Sequence, residues 1–218
     1  MKHLKEFENE ADVKVFVKPN VVLANDTGKV LYNVEPVKGV FIQHIDGTLY
    51  TTAQWAESGI SNDLANGVAV CTAEASFVVG VFYSGQKWSS DNSTLIDGVT
   101  TTEDSAIALT DFAGRKNTEA ILKTATSGAA YTCGNYIFPN GQKGYLPALG
   151  EACILFKNIA AVISAWNQLG VYASGRTGYI RSSTQYNATR SWGYGGLGQA
   201  NHSDKSSDGH FYPITELW

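Results

Sequence analysis

Gly178–Trp218 reads GYIRSSTQYNATRSWGYGGLGQANHSDKSSDGHFYPITELW. Its rings and cations, among them Tyr179, Tyr186, Arg190 and His202, are set between Gly, Ser, Asn and Asp. Tyr and Trp give large rigid contact area at low entropic cost, Arg gives a planar donor fork, and Ser, Asn and Gly adapt; antibody loops use the same mixture. The stretch reads as a vocabulary for surface contact. The competing reading is an ordinary polar loop region at the C-terminal end of the chain.

Working outward, the 218 residues suit one sizeable domain with a small appendage. An apolar fraction of 44% against a charged fraction of 17% points to a folded protein rather than a disordered one. Net charge is -4, with Lys and Arg spread along the chain, so the basic footprint that displaces counterions from nucleic acid is missing. No apolar run approaches membrane-spanning length, and MKHLKEFENEADVKVFV lacks the apolar core of a secretion signal. The expectation is a chain made in the cytoplasm, with no nucleic-acid partner and no membrane insertion. Cys71, Cys133 and Cys153 are too widely spaced for a metal motif and fit buried free thiols.

From the N-terminus, VKVFV, NVVLAN and KVLYNV read as strands, with Asn25-Asp26-Thr27-Gly28 turning the last two into a hairpin. An isolated hairpin is marginal, so residues 1–38 are expected to serve attachment or oligomerisation. VFIQHI and TLYT flank Asp46-Gly47 as a second hairpin, and a short helix over 53–57 carries Trp55 inward. GVAVCT and ASFVVGVFY read as core strands. Helical spacing begins near Thr100, which stands three residues before Glu103 as in a capping box, and continues with a break near Gly114. TCGNYIFPNGQKGY reads as a loop with a turn at Asn140-Gly141. LPALGEACILFKNIAAVISAWNQLG reads as one long helix between Pro147 and Gly170, with Trp166 in the core.

Chemical motifs are weak. GYGGLG, Gly193–Gly198, matches dinucleotide-loop spacing, but QANHSDKSSDGH after it cannot form the helix that would receive pyrophosphate. Gly85 opens no phosphate loop. His44 and Asp46 lack a nucleophile, and Asp204 with Asp208 gives too few oxygens for a legible calcium site. The reading assigns no catalytic residue, no metal and no cofactor.

SNDLANGVAVCTAEASFVVGV, NYIFPNGQKGYLPALGE, YIRSSTQYNATRSW and HFYPITEL resemble segments of the C-type lectin-fold variable proteins of diversity-generating retroelements, of the gut bacterial phage and prophage type. The likeness spans about Gly39 to Trp218. It implies an α+β fold of antiparallel sheets with two helices, here with an N-terminal β-hairpin extension, and a non-enzymatic ligand-binding domain over 39–218. It also implies adenine-directed rewriting of a C-terminal segment, 178–212. Trp, Lys and Gln cannot arise from randomised Asn codons, so Trp192, Gln199 and Lys205 would be fixed.

The ligand-binding residues expected on this basis are Tyr179, Arg181, Tyr186, Arg190, Trp192, Tyr194, His202, Asp204, Asp208, His210 and Tyr212. Relatives often carry Trp before SST where this chain has Arg181. The expected partner is a cell-surface protein or glycan, with phage tail components at the other end, a homo-oligomer such as a trimer for avidity, and a phage virion or bacterial cell surface as location. The alternatives are a calcium-dependent sugar-binding lectin, of which Phe138-Pro139-Asn140 is a partial echo, and an oxidase related to sulfatase-activating enzymes, whose C-terminal cysteine pair is absent after Cys153.

Overall fold

The computed structural model describes Leu4–Glu6, Pro19–Ala24, Val30–Val34, 38–171 and 178–217, the first three segments as backbone only. Strands β1 (Leu4–Glu6), β2 (Pro19–Ala24) and β3 (Val30–Val34) form a three-stranded sheet in the order β1-β3-β2. β2 and β3 pair antiparallel, as a hairpin requires. The strand expected at VKVFV and the turn over 25–28 lie outside the described residues.

The remainder is α+β. β4 (Gly39–His44), β5 (Leu49–Tyr50), β6 (Ala65–Cys71), β7 (Ser76–Val79) and β13 (Ile214–Glu216) make one antiparallel sheet in the order β13-β7-β6-β4-β5. β8 (Tyr83–Gln86), β9 (Ile180–Gln185), β10 (Arg190–Gly195), β11 (Gln199–Asp204) and β12 (Gly209–Phe211) make the second, ordered β11-β10-β9-β12-β8. In this sheet β12 runs parallel to β9, while the other pairs are antiparallel. The Asp46-Gly47 hairpin is present, as is α1 (Thr52–Ser58) with Trp55 buried beneath it.

Three helical expectations are corrected. Asp104, not Thr100, caps α2 (Ser105–Ala108), its Oδ1 accepting from the amides of Ala106 at 2.8 Å and Ile107 at 3.3 Å. Thr100 is instead drawn into the sheet, its carbonyl taking the Gln185 amide at 2.9 Å. The break expected near Gly114 is present: the chain unwinds between α2 and α3 (Gly114–Leu122) because the Asp111 side chain turns it, accepting from the Ala113 amide at 2.9 Å. The expected loop at TCGNY is partly α4 (Ala129–Asn135), whose small residues carry little periodic signal.

The long helix is two, α5 (Leu149–Lys157) and α6 (Ile159–Gln168), bent by 68° at Asn158. Asn158 breaks the run because its own side chain donates to the Ile154 carbonyl at 2.9 Å, competing with the backbone ladder. No single helix among the described residues is long and apolar enough to cross a membrane. The described domain thus carries six helices rather than two. Both α5 and α6 bury into the main core with Ile42, Val68, Phe77 and Ile214, and Trp166 is in it. A second core gathers Trp88, Ile121, Cys133, Leu146 and Phe211. All three cysteines are free and buried.

Candidate binding surface

The SSTQ run of β9, Ser182–Gln185, is fully buried although every side chain is polar. Such groups are tolerated only when each finds a partner. The Ser182 hydroxyl donates to the Trp192 carbonyl at 2.8 Å. The Thr184 hydroxyl donates to Asp111 Oδ2 at 2.7 Å and accepts the Leu149 amide, at the start of α5, at 2.9 Å. Gln185 reads both backbone groups of Ile96, each at 3.1 Å. β9 is therefore a polar lock that ties α5, the 88–101 loop and β10 together.

The LPALGE segment closes the other half of this lock. Glu151 Oε2 accepts the Ala148 amide at 2.7 Å and Oε1 accepts the Tyr145 hydroxyl at 3.1 Å, so the carboxyl caps its own helix. Burial pushes it up to about 8. Gly150 lets the Asp111 and Leu109 carbonyls approach where a Cβ would collide with them. Lys205, fully buried, pins the turn after β11, donating from Nζ to Thr94 O at 2.8 Å and Gln185 Oε1 at 2.7 Å above the Trp88 ring. Its burial lowers the ammonium to about 8.

β10 and β11 form an antiparallel hairpin around Gly196, Leu197 and Gly198, which is what GYGGLG builds. Gly196 and Gly198 hold φ of 62° and 77°, a region that favours glycine. Alternation then splits the hairpin into two faces. Trp192 and Tyr194 point toward α5 and belong to the main core, Tyr194 meeting Phe156 edge-on at 5.6 Å. Their register partners, His202 and Ala200, share that face, as do Arg190 and Asp204. On the opposite face Gly193 and Gly195 make room for Tyr179, which lies flat across β10; a Cβ at either glycine would strike it.

This geometry divides the expected contact residues. Tyr186, Arg190, His202 and Asp204 come together as a half-exposed to exposed rim on the α5-side face. The Tyr186 and His202 rings stack with centroids 4.0 Å apart, and Arg190 Nε meets Asp204 Oδ1 at 3.2 Å. Arg190 Nη1 also lies 3.5 Å from His202 Nδ1. Tyr179, Asp208 and His210 lie off this rim, with the Tyr179 hydroxyl donating to Asn201 O at 3.2 Å and His210 edge-on to Phe82. Burial holds Tyr179 above the usual phenol range.

Four expected contact residues are buried, and their outward-facing reading is corrected. Arg181, 1% exposed, runs under Tyr179 and clamps the turn after β11, its Nη2 donating to Ser207 O at 2.9 Å and Asp204 O at 3.3 Å. Desolvation lowers its pKa from the usual guanidinium range. Trp192 packs in the core and donates from Nε1 to Thr102 O at 2.8 Å. Tyr194 donates to Gly198 O at 2.6 Å and so braces the hairpin turn from inside. Tyr212 is 1% exposed, against Phe82. Composition flags a ring or a guanidinium as contact-prone; strand parity assigns its face, and the stretch of that face covered by α5 decides that Trp192 and Tyr194 are buried while Arg190, on the same face, is exposed.

Parity also identifies what composition passed over. Leu197, 93% exposed, stands at the tip of the turn, and Gln199 and Asn201 are exposed along β11. Reading RSWGYG and QANHSD as paired strands about GLG would have placed all three. Two clefts lie elsewhere. One of about 350 Å³ is lined by Leu109, Phe112, Cys153 and Lys157, and one of about 450 Å³ by Arg115, Tyr145, Glu151 and Glu216. Neither includes a residue of the hairpin rim. Among the described residues no group of three His, Cys, Asp or Glu side chains is placed to hold a metal ion. No protein-family model matches the chain, and no curated protein or solved structure matches it either.

Proposed function

We propose that the chain is a non-enzymatic binding protein of C-type lectin-like fold whose β10–β11 hairpin presents a replaceable contact rim. On this reading it is a phage or prophage adhesin, diversified by a retroelement, that recognises a protein or glycan on a bacterial cell. What carries the reading is the separation between lock and rim. The buried bonds of Ser182–Gln185, Glu151 and Lys205 do not pass through the side chains of Tyr186, Arg190, His202, Leu197 or Asn201. Those side chains can therefore change while the frame holds, which is the physical requirement for a diversified surface.

The contact mechanism follows from the chemistry. Stacked Tyr186 and His202 supply ring area, Arg190 is pre-oriented by Asp204 for planar acceptors, and Leu197 offers an apolar tip. One such rim gives modest affinity, and several copies raise avidity without new contacts. The test is the triple replacement Tyr186→Ala, Arg190→Ala, His202→Ala, measured for binding to a panel of bacterial cells. Expected are loss of the cell binding seen with the parent protein and a folding stability lowered by about 1–2 kcal/mol, chiefly through Tyr186, which packs edge-on against Trp192. Retained binding, or a large loss of stability, would overturn the assignment.

A further inference from the structure

The rim residues and Tyr179 fall on opposite faces of one sheet, which constrains the shape of the partner. A flat partner seated on the face of Arg190, His202 and Asp204 does not reach Tyr179 or the exposed Gln199 and Asn201, whose register partners Gly195 and Gly193 lie on the other face. β11 is the edge strand of the order β11-β10-β9-β12-β8, with no further strand beside it among the described residues. A chain running along that edge meets both faces at once, its alternate side chains falling toward His202 and Asp204 on one side and toward Asn201 and Tyr179 on the other.

The edge itself is in pairing condition. β11 reads QANHSD, with neither Lys nor Pro, and its register with β10 runs from Arg190↔Asp204 to Gly195↔Gln199 without a bulge. Edges that are protected against pairing use those devices. One backbone donor is covered instead by a replaceable group: the His202 amide donates to Asn201 Oδ1 at 2.8 Å, not to β10. By strand parity the Ala200 amide faces the same way. Six residues of strand offer about 20 Å of edge.

We infer that the ligand of this rim is an extended polypeptide segment that adds to β11 as a sixth strand, displacing the Asn201 carboxamide from the His202 amide. This rests on the binding reading above and deepens it: main-chain bonds give affinity and side-chain contacts on the two faces give selectivity. A glycan has no main chain of alternating N–H donors and C=O acceptors at strand spacing to match the edge. The partner is thus a protein with a free extended segment or a free sheet edge of its own.

The probe is a random dodecapeptide display library panned on the full chain, with counter-selection on Ala200→Pro, which removes one outward amide and keeps the bonds to β10. Enriched peptides are expected to bind the parent at least about tenfold more tightly than Ala200→Pro. Because proline also restricts the backbone of the strand it enters, amide exchange on the unaltered protein is the second readout, with the Ala200 and His202 amides slowed by bound peptide. Failure to enrich any peptide, or binding that leaves both amides unprotected, overturns the edge proposal, as does a glycan array that gives the dominant signal. The triple rim replacement separates the two levels. Peptides lost with it but indifferent to Ala200→Pro leave the rim standing and sink the edge, whereas peptides indifferent to the triple replacement sink the rim itself.

Discussion

Thr184→Val isolates the polar lock with almost no change of shape. Thr184 is fully buried, and its hydroxyl serves two groups, donating to Asp111 Oδ2 and accepting the Leu149 amide. Valine fills the same volume, so the cavity contribution is close to nil and the lost bonds dominate. Leu149 opens α5, and its amide has no intrahelical partner. Asp111 Oδ2 keeps only the Asn117 Nδ2 donor at 2.9 Å. A buried polar group deprived of its partner costs about 1–3 kcal/mol, more when charged, so two together predict a loss of about 4 kcal/mol. At about 2–4 °C per kcal/mol for a chain of this size, Tm falls by about 8–16 °C. Urea unfolding followed by tryptophan fluorescence measures the free-energy loss, with Thr184→Ser, which keeps the hydroxyl, as the reference losing about 1 kcal/mol. If valine is tolerated as well as serine, the lock is not what holds the sheet to α5.

Gly193→Ala forces a Cβ into the Tyr179 ring and the Ile180 carbonyl and is expected to cost about 1–3 kcal/mol. In a Tyr179→Ala background the cost falls but does not vanish, because the carbonyl contact remains; equal costs in both backgrounds in urea titrations would deny that Tyr179 lies across β10. Glu151 is raised from 4.5 to about 8 by burial, so the folded state binds its proton more tightly than the unfolded one. Its contribution is complete below about 4.5 and lost as pH rises through about 8. Thermal melts between these limits should therefore show the parent losing stability relative to Glu151→Gln as pH rises, and parallel curves would contradict the shift.

The sheet strands were largely legible because β-branched runs bounded by turn residues carry their own signal: Asp46-Gly47 and GVAVCT became what they read as, whereas ASFVVGVFY, read as one strand, is strand only over Ser76–Val79 before the chain crosses to the second sheet and opens β8 at Tyr83. The helices were less so. Asn158 splits an apolar run whose spacing continues unbroken across it, and periodicity cannot register a side chain that takes a helix carbonyl. Asp104 and Asp111 decided the α2–α3 connection through their own hydrogen bonds, which depend on where the chain already is. In the candidate site Arg181, Trp192, Tyr194 and Tyr212 carry the groups that composition marks as contact-prone, but all four are buried. Burying an arginine needs the clamped turn carbonyls of Asp204 and Ser207, partners more than twenty positions away in sequence. Lys205, which composition does not distinguish from a solvated lysine, is a buried peg.

The partition between frame and rim is open to a direct measurement without any ligand. Every position of 178–212 is replaced by all residues and the variants are sorted by folding, through protease resistance on a display surface. The account predicts broad tolerance at Tyr186, Arg190, Leu197, Gln199, Asn201 and His202, and refusal at Arg181, Ser182, Thr184, Trp192, Gly193 and Lys205. Comparable intolerance at both sets would contradict it, since a surface that cannot change without unfolding the chain cannot be the replaceable part of a binding protein.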